Sequence, residues 1–280
     1  MRVGLVQLCV SDEPDRNLPQ TVALVRQAAA GGAKFILTPE CTNILSSNRT
    51  WQRDVLREEA DDVTLAGLRA EAARLGVWLL IGSLALKTSD ADGRFANRSF
   101  LIAPDGSISA RYDKIHMFDV DVSAAESFRE SAAYRPGALA VLAPTPFGAI
   151  GLTVCYDVRF GSLYRALAQA GARVLTVPAA FNHITGAAHW ETLLRARAIE
   201  TGCYILAPAQ CGLHAAAHAL PGASPRRTHG HSLVVGPWGE VLADGGDAPG
   251  VTFADLDLEN VARARARVPS LSHDRSYEGP

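Results

Sequence analysis

Runs of apolar, β-branched sequence alternate with helical patterns along this chain, and the alternation occurs twice. In the first half RVGLVQLCV precedes a helix over 17–31, the run KFILTPE, a helix over 62–75 and the run VWLLIGSLAL. In the second half GAIGLTVCYD precedes a helix over 161–171, RVLTVPAAF, a helix over 188–201 and CYILAPAQ. Strand, helix, strand in that order predicts parallel strands joined by crossover helices. The pair Gly31 and Gly32 stops the first helix. Two segments break the pattern, RFANRSFLIAPDGSISARYDK and GHSLVVGPWGEVLADGG, where turns at Pro104-Asp105-Gly106 and Pro237-Trp238-Gly239 predict antiparallel hairpins. Strands apolar throughout need cover on both faces. The expected fold is α/β, a four-layer α-β-β-α sandwich of two mixed sheets with helices on both outer faces. No Gly/Ser linker or break in composition separates the halves, so one domain over 1–280 is expected.

Charge narrows the partners. With 27 basic against 29 acidic residues the formal net charge is -2, which gives no field to hold nucleic acid or an anionic membrane. The opening MRVGLVQLCV is too short for a membrane span and lacks the pattern of a signal peptide. Five cysteines, Cys9, Cys41, Cys155, Cys203 and Cys211, are an odd number with none in CxxC or another metal-ligand spacing. Free thiols in a reducing cytoplasm are expected, with no metal.

Three strand ends carry polar groups that a core does not need: ILTPE ends at Glu40, ARYDK at Lys114 and GLTVC at Cys155. Each alone has an ordinary explanation, a helix cap, a solvated lysine, a small buried hydrophobe. Together they suit one pocket, because ligands of α/β sheets sit at the carboxyl ends of strands. A thiol needs a base and its leaving group an acid, a carboxylate beside a lysine can serve as both, and the lysine offers charge to an oxyanion. GxSxG, P-loop, GxGxxG and HExxH motifs are absent. A histidine base for Cys155 stays open, although His116, His183, His189, His229 and His231 also suit hydrogen-bonded loop supports. Arg159 could clamp a substrate carboxylate, or equally pair with Asp157 or a helix end. Arg173 opens a strand and is expected in solvent.

The blocks TPE, YDKIHMFD, ESAAYRPG, GLTVCYDVRF and TGAAHWETLLRARAIETGCYILAPAQCG, in this order, resemble the nitrilase superfamily of carbon-nitrogen hydrolases, in its branch of small-acid amidases, from about residue 2 to about residue 276. The resemblance implies a triad of Glu40, Lys114 and Cys155 with Glu130 as a second glutamate. It implies an oxyanion site at Lys114 and the Tyr156 N–H, and substrate contacts from Arg159, Phe181, Asn182 and Thr185. It also implies a small-molecule amide substrate cleaved to acid and ammonia through a thioester, with no metal or organic cofactor. Homodimers are implied too, with the helix bearing Arg195 and Arg197 and the tail over 268–280 near the interface; ion pairs to Glu191 and Glu200 are expected for those arginines. Two amidases of the branch share these blocks. Ala209-Gln210-Cys211-Gly212, His214 and LLRARAIET resemble the one acting on deaminated glutathione, whereas YDKIHMFDVDV and Asn182 resemble omega-amidase; the first is expected. The stretch LHAAAHALPGASPRRTHGHS is longer than the branch's usual loop, and Gly236 replaces its usual Asp or Asn. The segment 212–228 is either a pocket wall or a surface insertion.

Overall fold

Side-chain direction alternates along a strand, so an all-apolar strand supplies two different cores. The computed structural model, which describes residues 1–123 and 126–279, shows this in β1 (Arg2–Gln7), β2 (Phe35–Leu37), β3 (Trp78–Leu86) and β4 (Phe95–Ile102). Val3, Leu5, Phe35, Leu37, Leu80 and Leu101 point one way, into a core shared with the second sheet. Val6, Ile36, Leu79, Ile81, Phe100 and Ile102 point the other way, against α1 (Pro14–Ala30) and α3 (Val63–Leu75). Burial of one such side chain contributes roughly 1.5–3 kcal/mol, so both cores are substantial.

The remaining strands are β5 (Ile108–Asp113), the hairpin β6 (Asp119–Ser123) and β7 (Glu126–Arg129), the short β8 (Tyr134–Arg135), β9 (Val141–Thr145), β10 (Gly148–Leu152), β11 (Ala172–Thr176) and β12 (Tyr204–Ala207). They are followed by the hairpin β13 (Cys211–Leu213) and β14 (Arg227–His229), then β15 (Leu233–Val235), β16 (Val241–Asp244) and β17 (Gly250–Asp255). Helices α2 (Arg49–Val55), α4 (Gly161–Gln169), α5 (His183–Thr201) and α6 (Glu259–Arg267) complete the chain. One sheet runs β17-β1-β2-β3-β4-β5 with β8 beside β4, the other β16-β15-β12-β11-β10-β9. In each, two parallel pairings at the centre (β1-β2-β3, β10-β11-β12) are flanked by antiparallel ones. Both predicted hairpins form, as β4-β5 and β15-β16. With α1 and α3 outside one sheet and α4 and α5 outside the other, the expected sandwich is the fold.

Local boundaries differ from expectation for identifiable reasons. Helix α5 starts at His183 instead of 188, because the Asn182 Oδ1 accepts from Ile184 N at 2.9 Å and Thr185 N at 3.3 Å. Such a cap contributes about 1 kcal/mol. Arg173 is not free in solvent: its Nη2 donates to the Leu258 carbonyl at 2.7 Å, tying β11 to the start of α6. Arg195 pairs with Glu191 and Arg197 with Glu200, as expected. Pro280, the last residue of the tail expected at a dimer interface, and positions 124 and 125 of the domain expected over 1–280 lie outside the described residues.

Candidate active site

Strand β2 ends at Leu37, and the chain then turns through Thr38 and Pro39 to Glu40, pressed against β3. Gly82 permits that approach, since a Cβ there would stand 2.1 Å from the Thr38 carbonyl oxygen and 2.5 Å from that of Pro39. Cys155 comes after β10, not within it. It opens a short 3-10 turn with a left-handed φ of 49°, its N–H donating to the Pro178 carbonyl at 2.9 Å. A non-glycine residue held there is strained and needs support. Asp157, fully buried, gives it: Oδ2 accepts from Val154 N (2.8 Å) and the Tyr112 hydroxyl (2.7 Å), Oδ1 from His116 N (3.0 Å), and the His116 ring lies at 2.7 Å. Tyr112 is in β5, whose end carries Lys114, so one carboxylate fixes nucleophile turn and lysine together.

The Lys114 ammonium donates to Glu40 Oε1 (2.9 Å) and to Glu130 Oε1 (3.0 Å) and Oε2 (2.8 Å). Glu40 also accepts from Asn97 Nδ2 (2.9 Å) and, through Oε2, from the Ala180 N–H (2.8 Å). Glu130 accepts from Phe118 N at 2.7 Å. Only 2% of Lys114 and 4% of Glu40 is exposed, so the lysine is no surface charge. Burial opposes both charges, but the Lys114 cation and the hydrogen bonds bring Glu40 below its ordinary value, and Glu130 and Glu40 hold Lys114 well above its own. Cys155 goes the other way. Burial first, then the Glu40 charge, push its thiol well above the ordinary range. The resting site is thus a protonated thiol beside an ionised carboxylate and an ammonium. The Tyr156 N–H, next to Cys155, has no hydrogen-bond partner among the described residues.

These groups open on a cavity of about 460 Å³, within the range of small-molecule sites. Tyr156, Phe181 and Asn182 line it, together with Phe118, Phe128 and Tyr134. Asn182 also donates to Glu126 at 2.7 Å. Arg159 and Thr185 are not in its wall. Arg159 does not pair with Asp157; its Nη2 meets the His189 ring at 3.2 Å, and its guanidinium lies near the Tyr156 and Phe181 rings. Thr185 turns its hydroxyl back to the Asn182 carbonyl. None of the histidines lines the cavity. The segment 212–228 forms part of the wall through Ala223, Ser224, Pro225, Arg226 and Arg227, so it is no mere surface insertion. His214 anchors it, buried between the Val10 carbonyl and Thr228 (2.7 Å each), and burial lowers its pKa to about 4.

Sequence reasoning missed Asn97, and it missed the roles of Asp157, named only as a partner for Arg159, and of Gln210, whose Nε2 holds the Glu40 carbonyl at 3.0 Å. Asn97 had left a signal, a lone amide within the apolar strand FANRSFLI.

The site and fold have counterparts among known proteins. The family model for carbon-nitrogen hydrolase matches residues 2–266. Deaminated glutathione amidase of Yersinia enterocolitica is 39% identical over 274 residues, covering 98% of this chain and 92% of that protein. Omega-amidase NIT2 of Bos taurus is 35% identical over 278 residues, covering 98% and 95%. Among solved structures, a mutant amidase from Nesterenkonia sp. AN1, with the acetamide moiety of fluoroacetamide added covalently at its active-site cysteine, superposes with a TM-score of 0.76. It is 26% identical, covering 96% of this chain and 95% of that one.

Proposed function

Since the chain belongs to the carbon-nitrogen hydrolase family, we propose that it is an amidase using Cys155 as nucleophile and deaminated glutathione as substrate. The observation that carries this reading is the buried set Glu40, Lys114 and Glu130 joined by hydrogen bonds beside Cys155 in the cavity wall. Cys155 Sγ attacks the amide carbon while its proton passes to Glu40. The oxyanion is held by Lys114 Nζ and the Tyr156 N–H. Glu40 then gives the proton to the departing nitrogen, and a thioester remains. Water, deprotonated by Glu40, attacks the thioester, and the thiol is restored as the acid leaves. Glu130 holds Lys114 in place throughout. By atom balance, deaminated glutathione yields 2-oxoglutarate and cysteinylglycine; ammonia is the leaving group only from a primary amide such as 2-oxoglutaramate.

That second substrate defines the alternative, omega-amidase activity, favoured by the position of Asn182 in the wall and by the bovine relative. Formation of 2-oxoglutarate is common to both and should be followed for each substrate. Deaminated glutathione is expected to give the higher kcat/KM, and Cys155→Ala to abolish turnover with the fold intact. Turnover in Cys155→Ala, or no product from either acid, would reject the reading.

The same proposal makes the chain one domain that pairs with a second copy, supported by exposed Ile199 and Trp238 beside α5. It works in a reducing cytoplasm, in keeping with five unbridged cysteines. No helix of the described residues is long and apolar enough to cross a membrane.

A further inference from the structure

Arg226 stands half-buried in the cavity wall, one residue before β14. Its Nη2 donates to the Ala180 carbonyl at 3.1 Å, and the N–H of that same Ala180 holds Glu40. Its guanidinium lies 4.6 Å from the centroid of the Phe128 ring, which also lines the cavity. Its Nε is buried without a hydrogen-bond partner. A guanidinium stays charged at any working pH, and among the described residues no carboxylate takes a hydrogen bond from this one. A cation fixed in place, with a buried donor unused, costs stability unless something else meets it.

Of the other cations of the wall, Arg227 is exposed, whereas the rest are engaged. Lys114 is taken up by Glu40 and Glu130. Arg129 pairs with Asp121, and Arg49 donates to the Ala132 carbonyl. Resting on the amidase reading above, we infer that Arg226 recognises a carboxylate of the substrate remote from the scissile C–N bond. The free Nη hydrogens form the planar edge that fits a carboxylate, while Phe128 packs on the guanidinium and Ala180 sets its distance from the reacting groups. No bond to the reacting atoms is implied, so Arg226 sets specificity and takes no part in proton transfer.

Deaminated glutathione carries one carboxylate on its acyl side and one on its leaving amine; 2-oxoglutaramate carries only the first. The test compares kcat/KM of wild type, Arg226→Met and Arg226→Lys on both acids and on 4-oxopentanamide, in which a methyl replaces the acyl-side carboxylate. Methionine keeps the stem against Phe128 and removes the donors. In Arg226→Met the acid-to-neutral ratio should fall about 10-fold to 150-fold, chiefly through KM, the range for a lost hydrogen bond to a charged group. Competitive inhibition of 4-oxopentanamide turnover by 2-oxoglutarate gives a second reading if the acyl-side carboxylate is the one held. Loss on both acids assigns the acyl-side carboxylate; loss on deaminated glutathione alone assigns the leaving-amine side. A ratio that does not change, including the case where acid and neutral rates fall together, overturns the inference and leaves Arg226 a brace for the loop. If Arg226→Met does not fold, Arg226→Lys carries the test, since loss of the planar edge should lower the ratio and an unchanged ratio overturns it. Wild type showing no preference for either acid over the neutral amide rejects the substrate reading itself, a result distinct from a preference that survives at Arg226→Met.

Discussion

A thiol kept protonated by burial and by a neighbouring carboxylate cannot wait as a thiolate. Cys155 is in that position, so its activation must coincide with attack, and the carboxylate hydrogen-bonded to it, Glu40, is the acceptor for the proton. Lys114 then has two duties, balancing two glutamates at rest and meeting the oxyanion during reaction. Its three short bonds to carboxylate oxygens fit a compact ammonium on a slender stem. A guanidinium is broader and planar, and at 2% exposure there is no room for it without displacing the substrate. Lys114→Arg should therefore lose roughly 10²-fold to 10³-fold in kcat with a smaller change in KM. Steady-state rates of 2-oxoglutarate formation, with circular dichroism as a check on folding, measure this. A kcat near that of wild type would remove Lys114 from the chemistry.

Helices α1 and α3 are clamped by Glu71, which accepts from Arg26 on α1 and from Arg74 one turn along α3. These bonds pull its pKa down to about 2, against about 4.3 for a free glutamate. With the folded-state value depressed, the folded state binds fewer protons across that window. The clamp's contribution is therefore complete above the ordinary value and is lost as pH falls toward 2. Both arginines are about half exposed and screened by solvent, so ~1 kcal/mol is a fair magnitude. Glu71→Gln should lower the urea midpoint at neutral pH, and the gap to wild type should narrow from about pH 5 to about pH 2. A gap independent of pH would mean that the pairs contribute by packing alone. Elements of this size were readable in the sequence because their signals are local: apolar alternation, Gly and Pro turns, polar residues ending Glu40, Lys114 and Cys155 strands. The early start of α5 was hidden because the apolar content of HITGAAHW is thin, and the deciding cap is a single side-chain contact.

The two sheets share one order of pairing, antiparallel, parallel, parallel, antiparallel, antiparallel, and this repetition was visible in the doubled strand-helix rhythm. The site is not repeated. Glu40, Lys114 and Glu130 come from the first half and Cys155 from the second, and the chemistry exists only where the halves meet. What the sequence could not display is what joins distant segments: Asp157 reaching Tyr112, Gln210 holding Glu40, Arg226 arriving beside Ala180. Those contacts depend on how the sheets stack, which no local pattern encodes.

The pairing of β17 with β1 brings Gly250–Asp255 back to Arg2–Gln7. A ribosome delivers these partners far apart in time. Until β17 is made, β1 has β2 on one side and a bare row of amides and carbonyls on the other, an edge prone to pair with a neighbouring nascent chain. Chains cut short before residue 250 should collect in the insoluble fraction, and supplying the missing strand as a separate peptide during expression should draw part of them back into solution. Soluble, monodisperse truncations would show that the edge is guarded by other means. Arrival of β17 is, on this view, the event that closes the first sheet.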